Sequence, residues 1–204
     1  MRPGAASPAK RVKLRDALRV YGEKRILAIF FMGFSSGLPL GLTGATLTYW
    51  LAEAGVSRTS IGLFALVGIS YSYKFLWAPV IDRIPIPLLT RLLGRRRSWG
   101  LLIQAFLMAA IFLLGRSNPQ SDLAALALFA VIVAFLSASQ DIVIDAYRIE
   151  LLRPEEQGHG AAATQWGYRF GLLAAGAGAL YAAEAWGWAG AYALMATQIG
   201  RAHV

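Results

Sequence analysis

The sequence predicts an all-α membrane protein: a single bundle of about six spans, the last incomplete. Three observations carry that expectation. Of 204 residues, 57% are hydrophobic and only 15% are charged, with a mean hydropathy of +0.51, whereas a soluble domain carries about 25% charged residues. Apolar runs of spanning length, roughly 17 to 25 residues, recur along the chain with short connections between them. Basic residues gather at one set of connections, as the positive-inside rule requires of a membrane bundle.

Residues 1–25 form a basic tail containing Arg2, Lys10, Arg11, Lys13, Arg15, Arg19, Lys24 and Arg25. The transmembrane bundle is read over residues 26–198, its first span running from Ile26 to Leu51 and carrying the row Gly33, Gly37, Gly41. Small residues at that spacing let helices approach closely. Pro39 lacks a backbone donor and predicts a bend in the same span. Span two runs from Ile61 to Ile81 and contains Lys74, and span three runs from Trp99 to Gly115. Span four, Leu123 to Asp145, holds two aspartates four residues apart, Asp141 and Asp145. Span five, Ala161 to Ala183, carries Arg169 and a second small-residue row, Gly167, Gly171, Ala175. Span six begins at Ala189 and stops at Gln198. The remaining hexapeptide IGRAHV is what a widely used sequencing adapter gives when translated in one frame. Residues 199–204 are therefore read as adapter-derived rather than as a natural short C-terminus, and the chain as a fragment. On that reading Arg201 and His203 carry no function.

Short connections make neighbouring spans antiparallel, so the segments 52–60 and 116–122 share one side and 82–98 and 146–160 the other. The second side holds the tail cations together with Arg83, Arg91, Arg95, Arg96, Arg97, Arg148 and Arg153, fifteen in all, against Arg58 and Arg116 opposite. A cytoplasmic N-terminus follows. The same placement accounts for most of the +9 net charge: these cations flank spans, where they meet anionic lipid, and nucleic acid is not the expected partner. No cysteine is present, which excludes disulfides and thiolate metal sites. No cofactor or metal site is expected. The first apolar run is too long for a signal-peptide core and has no small-residue cleavage site.

Charged residues inside spans are costly and mark substrate paths or proton relays. The i, i+4 spacing of Asp141 and Asp145 puts both on one helix face. At about 1.5 Å per residue, Asp141 lies roughly 10 Å deep, Lys74 roughly 12 Å and Arg169 roughly 13 Å, with Asp145 shallower. Charges of balanced sign at similar depth pair with one another instead of facing lipid, and the expected pairing is Asp141 with Arg169 or Lys74. Two roles remain open: proton coupling, since a carboxyl between desolvation and a cation responds to cavity opening, or a permanent clamp between helices. Lys74 and Arg169 are alternatively partners for substrate carboxylates. Gln140, Gln165 and Tyr168 are candidate substrate contacts.

The loop after span two reads Asp82-Arg83, then IPIPLLTRLL, then Gly94-Arg95-Arg96-Arg97. This resembles the signature of the major facilitator superfamily, where Asp-Arg followed by Gly and a basic cluster forms a cytoplasmic gate; the insertion departs from the compact pattern. An aspartate at a helix end pairing with arginine makes a latch that conformational change must break. Longer strings narrow the family: GFSSGLPLGLT from Gly33, KFLWAPVIDR from Lys74, SASQDIVIDA from Ser137, and Tyr168-Arg169 after Gly160-Ala161-Ala162. These look like the AmpG-type muropeptide permeases. The resemblance implies a proton-driven importer of anhydromuropeptides (N-acetylglucosaminyl-1,6-anhydro-N-acetylmuramyl peptides) across the inner membrane for cell-wall recycling. It also implies two six-helix halves, of which this chain holds the first, with inverted three-helix repeats expected inside it; the missing C-terminal half is then a partner. A related facilitator importing a siderophore or an acyl-coenzyme A is the alternative. An intramembrane aspartyl hydrolase is a distant third, because such enzymes need acids on facing helices to share a proton and here both sit on one helix. No catalytic residues are expected.

Overall fold

The computed structural model describes residues 21–201; the basic tail up to residue 20 and Ala202, His203 and Val204 lie outside the described residues. The first long helix, α1 (Lys24–Glu53), is followed by α2 (Arg58–Leu76) and the short α3 (Ala78–Arg83). After α4 (Leu89–Leu93) come α5 (Arg95–Arg116) and α6 (Leu123–Leu151). Then follow α7 (Gln157–Leu173) and α8 (Ala179–Arg201). Among the described residues no strand occurs.

Four of these helices, α1, α2, α5 and α6, are long and apolar enough to cross a membrane. The sequence reading expected a fifth complete span and part of a sixth. Their place is taken by α7 and α8, joined by a π-turn at Ala174–Gly178 and broken at Gly187, whose φ of 70° is open to glycine. The fifth segment is lower in hydropathy because glycine, Gln165, Tyr168 and Arg169 interrupt it. Span two is also less regular than its apolar run predicts, with 3-10 turns at Ala65–Gly68 and Lys74–Leu76 before Trp77. Pro79 in the first turn of α3 needs no helical donor, and so starts a helix where the previous one ends.

Close packing of α1 on α7 organises the bundle. A Cβ on Gly33 would collide with the Thr164 carbonyl, and one on Gly37 with that of Tyr168. From the other side, Gly167 faces the Phe30 carbonyl and Gly171 that of Phe34. The two small-residue rows seen in the sequence are thus the two halves of one interface. The row ends where Gly41 meets the Ala175 side chain, and Thr46 Oγ1 there donates to the Ala175 carbonyl at 2.6 Å. The bend predicted at Pro39 emerges just beyond it, as a π-turn at Leu42–Thr46 with Gly44 outside helical φ/ψ.

α6 packs beside α1, with α5 and α2 both against α6, and α8 runs along α5. Gly115 lets Tyr192 approach α5, and the Tyr192 hydroxyl donates to the Leu42 carbonyl at 3.0 Å. The core between these helices includes Leu38, Leu42, Leu51, Leu107, Ile111, Leu114 and Leu126, all fully buried. Loop pairing agrees with antiparallel neighbours: Gln120 Nε2 donates to the Ala54 carbonyl at 3.2 Å, joining the connections after α1 and α5 at one end of the bundle.

Candidate functional site

Lys74, Asp141 and Ser36 meet where α1, α2 and α6 converge. Lys74 Nζ lies 3.5 Å from Asp141 Oδ2, and Ser36 Oγ donates to Asp141 Oδ1. The glycines of α1 explain the serine's position: Gly33 and Gly37 turn one face of the helix onto α7 and leave Ser35 and Ser36 to look toward α6. One residue before Asp141, Gln140 is buried and its Nε2 donates to Ser35 Oγ at 2.9 Å. A second crossing is made by Trp77, whose Nε1 donates to Ser139 Oγ at 3.0 Å while its ring packs on Phe135 with centroids 4.8 Å apart. Deeper along the same seam, the Tyr71 and Ser137 hydroxyls are buried with no hydrogen-bond partner among the described residues. A polar seam therefore threads an apolar bundle, with Asp141 at its centre.

The other charges expected with Asp141 are separated from it. Asp145 is half-exposed, and its Oδ1 lies 3.7 Å from Arg148 NH2, one turn along its own helix. Arg169 is exposed on the face of α7 opposite the glycine row, and among the described residues it joins no ion pair. Gln165 is exposed one turn before Arg169, and Tyr168 is partly buried. Of the two partners open to Asp141, the structure brings Lys74.

Asp82 and Arg96 form an ion pair that spans the inserted loop, and Arg96 Nε reaches Glu150 Oε1 at 3.0 Å, so one guanidinium joins α3, α5 and α6. Gly94 opens α5 with φ 81°, a left-handed conformation that a side chain would strain. Its carbonyl accepts from the Ser98 backbone N–H at 3.1 Å and from Ser98 Oγ at 2.7 Å. Trp99 Nε1 closes the loop on the Ile84 carbonyl at 2.8 Å. Arg83, Arg95 and Arg97 are exposed at this same end.

Sequence reading missed Ser35, Ser36 and Glu150. Serine in a helix is an ordinary residue until its rotation is known, and rotation here is fixed by the glycine contacts with α7. Glu150 had a readable signal: it ends α6 nine residues after Asp141, on the side of the bundle where cations dominate.

A bundle of long apolar helices with an ion pair held at their convergence defines a multi-pass, all-α membrane protein. Comparison with known proteins gives the family. The family model described as Acetyl-coenzyme A transporter 1 matches residues 26–120. The anhydromuropeptide permease of Escherichia coli strain K12 is 45% identical over 180 residues, 88% of this chain and 36% of the permease. A Rickettsia felis protein bearing the transporter name AmpG 4 is 37% identical over 166 residues, 81% of this chain and 40% of its own length. The chain matches the AmpG-type permeases, in agreement with its motif strings, and these names are those of permeases and transporters, not enzymes. It spans about a third of the length of the Escherichia coli permease it matches, 36%.

Proposed function

We propose that this chain is the N-terminal bundle of a proton-coupled importer of anhydromuropeptides, set in the inner membrane with its N-terminus in the cytoplasm. The observation that carries the reading is the Lys74–Asp141 pair, held by Ser36 inside an apolar bundle that is 45% identical to an anhydromuropeptide permease. An ion pair in such a place costs solvation, and in membrane proteins it marks a path for substrate or protons. Breaking the pair as the helices move leaves a carboxylate to be neutralised by a proton, which couples helix motion to proton uptake. Asp145, closer to the end of α6, belongs on this reading to the cytoplasmic gate with Asp82, Arg83, Gly94, Arg95, Arg96 and Arg97. Arg91, Arg95 and Arg97 face anionic lipid there.

Gln165 and Tyr168, with Arg169, form on this reading part of one wall of a substrate cavity, and Gln140, buried on Ser35, reaches substrate only when α1 and α6 move apart. The opposite wall belongs to a second half of the transporter. In support, only 6% of the α2 window is buried, against 61% for α1, and α7 leaves Trp166, Phe170 and Leu173 exposed.

The test is a chimera in which residues 21–198 replace the matching segment of the Escherichia coli permease. Uptake of labelled anhydromuropeptide above an empty-vector control is the expected result. No uptake from a correctly inserted chimera rejects the cargo. The family model's name raises acetyl-coenzyme A as a second cargo, so both solutes are offered: competition by acetyl-coenzyme A favours that reading, and its absence the muropeptide one.

A further inference from the structure

We propose that the cavity between the end of α1 and the α7–α8 junction is a binding subsite for an uncharged pyranose ring. It holds about 460 Å³ and is lined by Tyr49, Glu53, Tyr181, Glu184 and Trp188. Its position is at the end of the bundle where the α1 and α5 connections meet, away from the Asp82–Arg96–Glu150 cluster.

The site is built on one side and open on the other. Trp188 stacks on Trp50, with centroids 5.4 Å apart and an interplanar angle of 20°, and its Nε1 donates to Glu53 Oε2 at 2.7 Å. One carboxylate and one indole are thereby fixed in place. Tyr49 and Tyr181 are 54% and 76% exposed, so their rings have area to offer. Glu184 is exposed, and among the described residues it joins no ion pair or hydrogen bond. Beyond the Gly41–Ala175 contact, Gly44 has nothing near its missing Cβ, and the space opens between the last turns of α1 and the start of α8.

Aromatic walls with a few polar groups at fixed positions are the usual make-up of a ligand site, and the volume falls in the usual range. The chemistry selects within that class. A pyranose lays its C–H face on a tyrosine or tryptophan ring while its hydroxyls donate to carboxylate oxygens. Among the described residues no lysine or arginine lines the cavity, so an anionic group would meet two carboxylates and no counter-charge there. The volume suits a sugar ring better than a small cation. The proposal rests on the import reading for its consequence: a substrate bearing an uncharged sugar would rest that ring here.

Tryptophan fluorescence of the 204-residue chain in detergent, titrated with N-acetylglucosamine, reads the site through Trp188 once the same titration of Trp188→Phe, which keeps the others of the six tryptophans, is subtracted. The expected result is a saturable change whose midpoint is insensitive to potassium chloride. Tyr181→Ala and Glu184→Ala, both at exposed positions, should each raise that midpoint roughly fivefold to tenfold, about 1 to 1.4 kcal/mol, with an unchanged circular dichroism spectrum. A non-saturating response overturns the subsite, as does binding that both variants retain. Competition by lysine with strong salt dependence makes it a cation site and also overturns the proposal. Uptake by the chimera keeps the two readings apart: import without sugar binding removes only the subsite, and sugar binding without import removes only the transport reading.

Discussion

Asp141 holds two partners of different kinds, and their separate contributions are measurable. Removing Lys74 leaves a mostly buried carboxylate with a serine alone. For a fully buried pair that loss is about 3–5 kcal/mol; Lys74 is 34% exposed, so about 1–3 kcal/mol is expected. Lys74→Met should therefore lower the melting temperature in detergent, and adding Asp141→Asn should restore most of it. A double variant no more stable than the single would show that the pair does not act as one unit. A second residue prediction concerns Glu156, at the connection between α6 and α7. Its carboxylate accepts from the Arg153 backbone N–H at 3.0 Å and from Arg153 Nε at 3.1 Å, and these bonds hold its carboxyl below the usual range. A lowered folded value contributes stability that is fully present above the unfolded value of about 4.3 and is lost as pH falls through the lowered one. Glu156→Gln should thus melt below the unsubstituted chain at pH 7, and the gap should close on acidification below about pH 4. A gap that widens in acid would contradict the assignment. At this scale the sequence showed which charges lie inside spans but left Asp141 with two candidate cations. Depth along a helix is countable from residue numbers; rotation about its axis is not, and rotation places Lys74 on the seam and Arg169 on the open face.

Glycine decides which helices can touch. α1 and α7 interdigitate backbone to backbone, so Gly167→Ala, whose new methyl would fall on the Phe30 carbonyl, should destabilise the bundle by about 1–3 kcal/mol as overpacking. Gly62 in α2 has nothing near its missing Cβ, and Gly62→Ala should stay within about 1 kcal/mol of neutral. Equal effects in thermal unfolding of the two variants would contradict the α1–α7 interface. The matched small-residue rows were legible in the sequence, as was the presence of a distortion in span one. The π-turn at Leu42–Thr46 was not, because Pro39 marks a missing donor and neighbouring contacts choose where the helix absorbs it. At the loop after span two, Arg96 joins three helices, which the insertion had obscured: ten intervening residues say nothing of how near their ends return.

The whole molecule is a bundle whose helices are unequally covered. α5 and α6 bury comparable shares of their apolar windows, while α2 buries only 6% of its own. Membrane class, and which connections share an end, could be read from run length and the short connections, since each long apolar run must cross the bilayer. The fifth helix could not be ranked with the others by hydropathy, because its glycines and polar residues serve packing and exposed functions at once. The proposed coupling of protons to cargo entry at the seam around Asp141 belongs to the complete transporter. It is tested most directly by protonophore-sensitive accumulation of labelled anhydromuropeptide in cells carrying the chimera, with and without Asp141→Asn. Accumulation should be abolished by a protonophore and reduced at least about tenfold by Asp141→Asn, a barrier or binding change of about 1.4 kcal/mol, at unchanged membrane abundance. Full accumulation in the Asp141→Asn chimera, still collapsed by the protonophore, would contradict it.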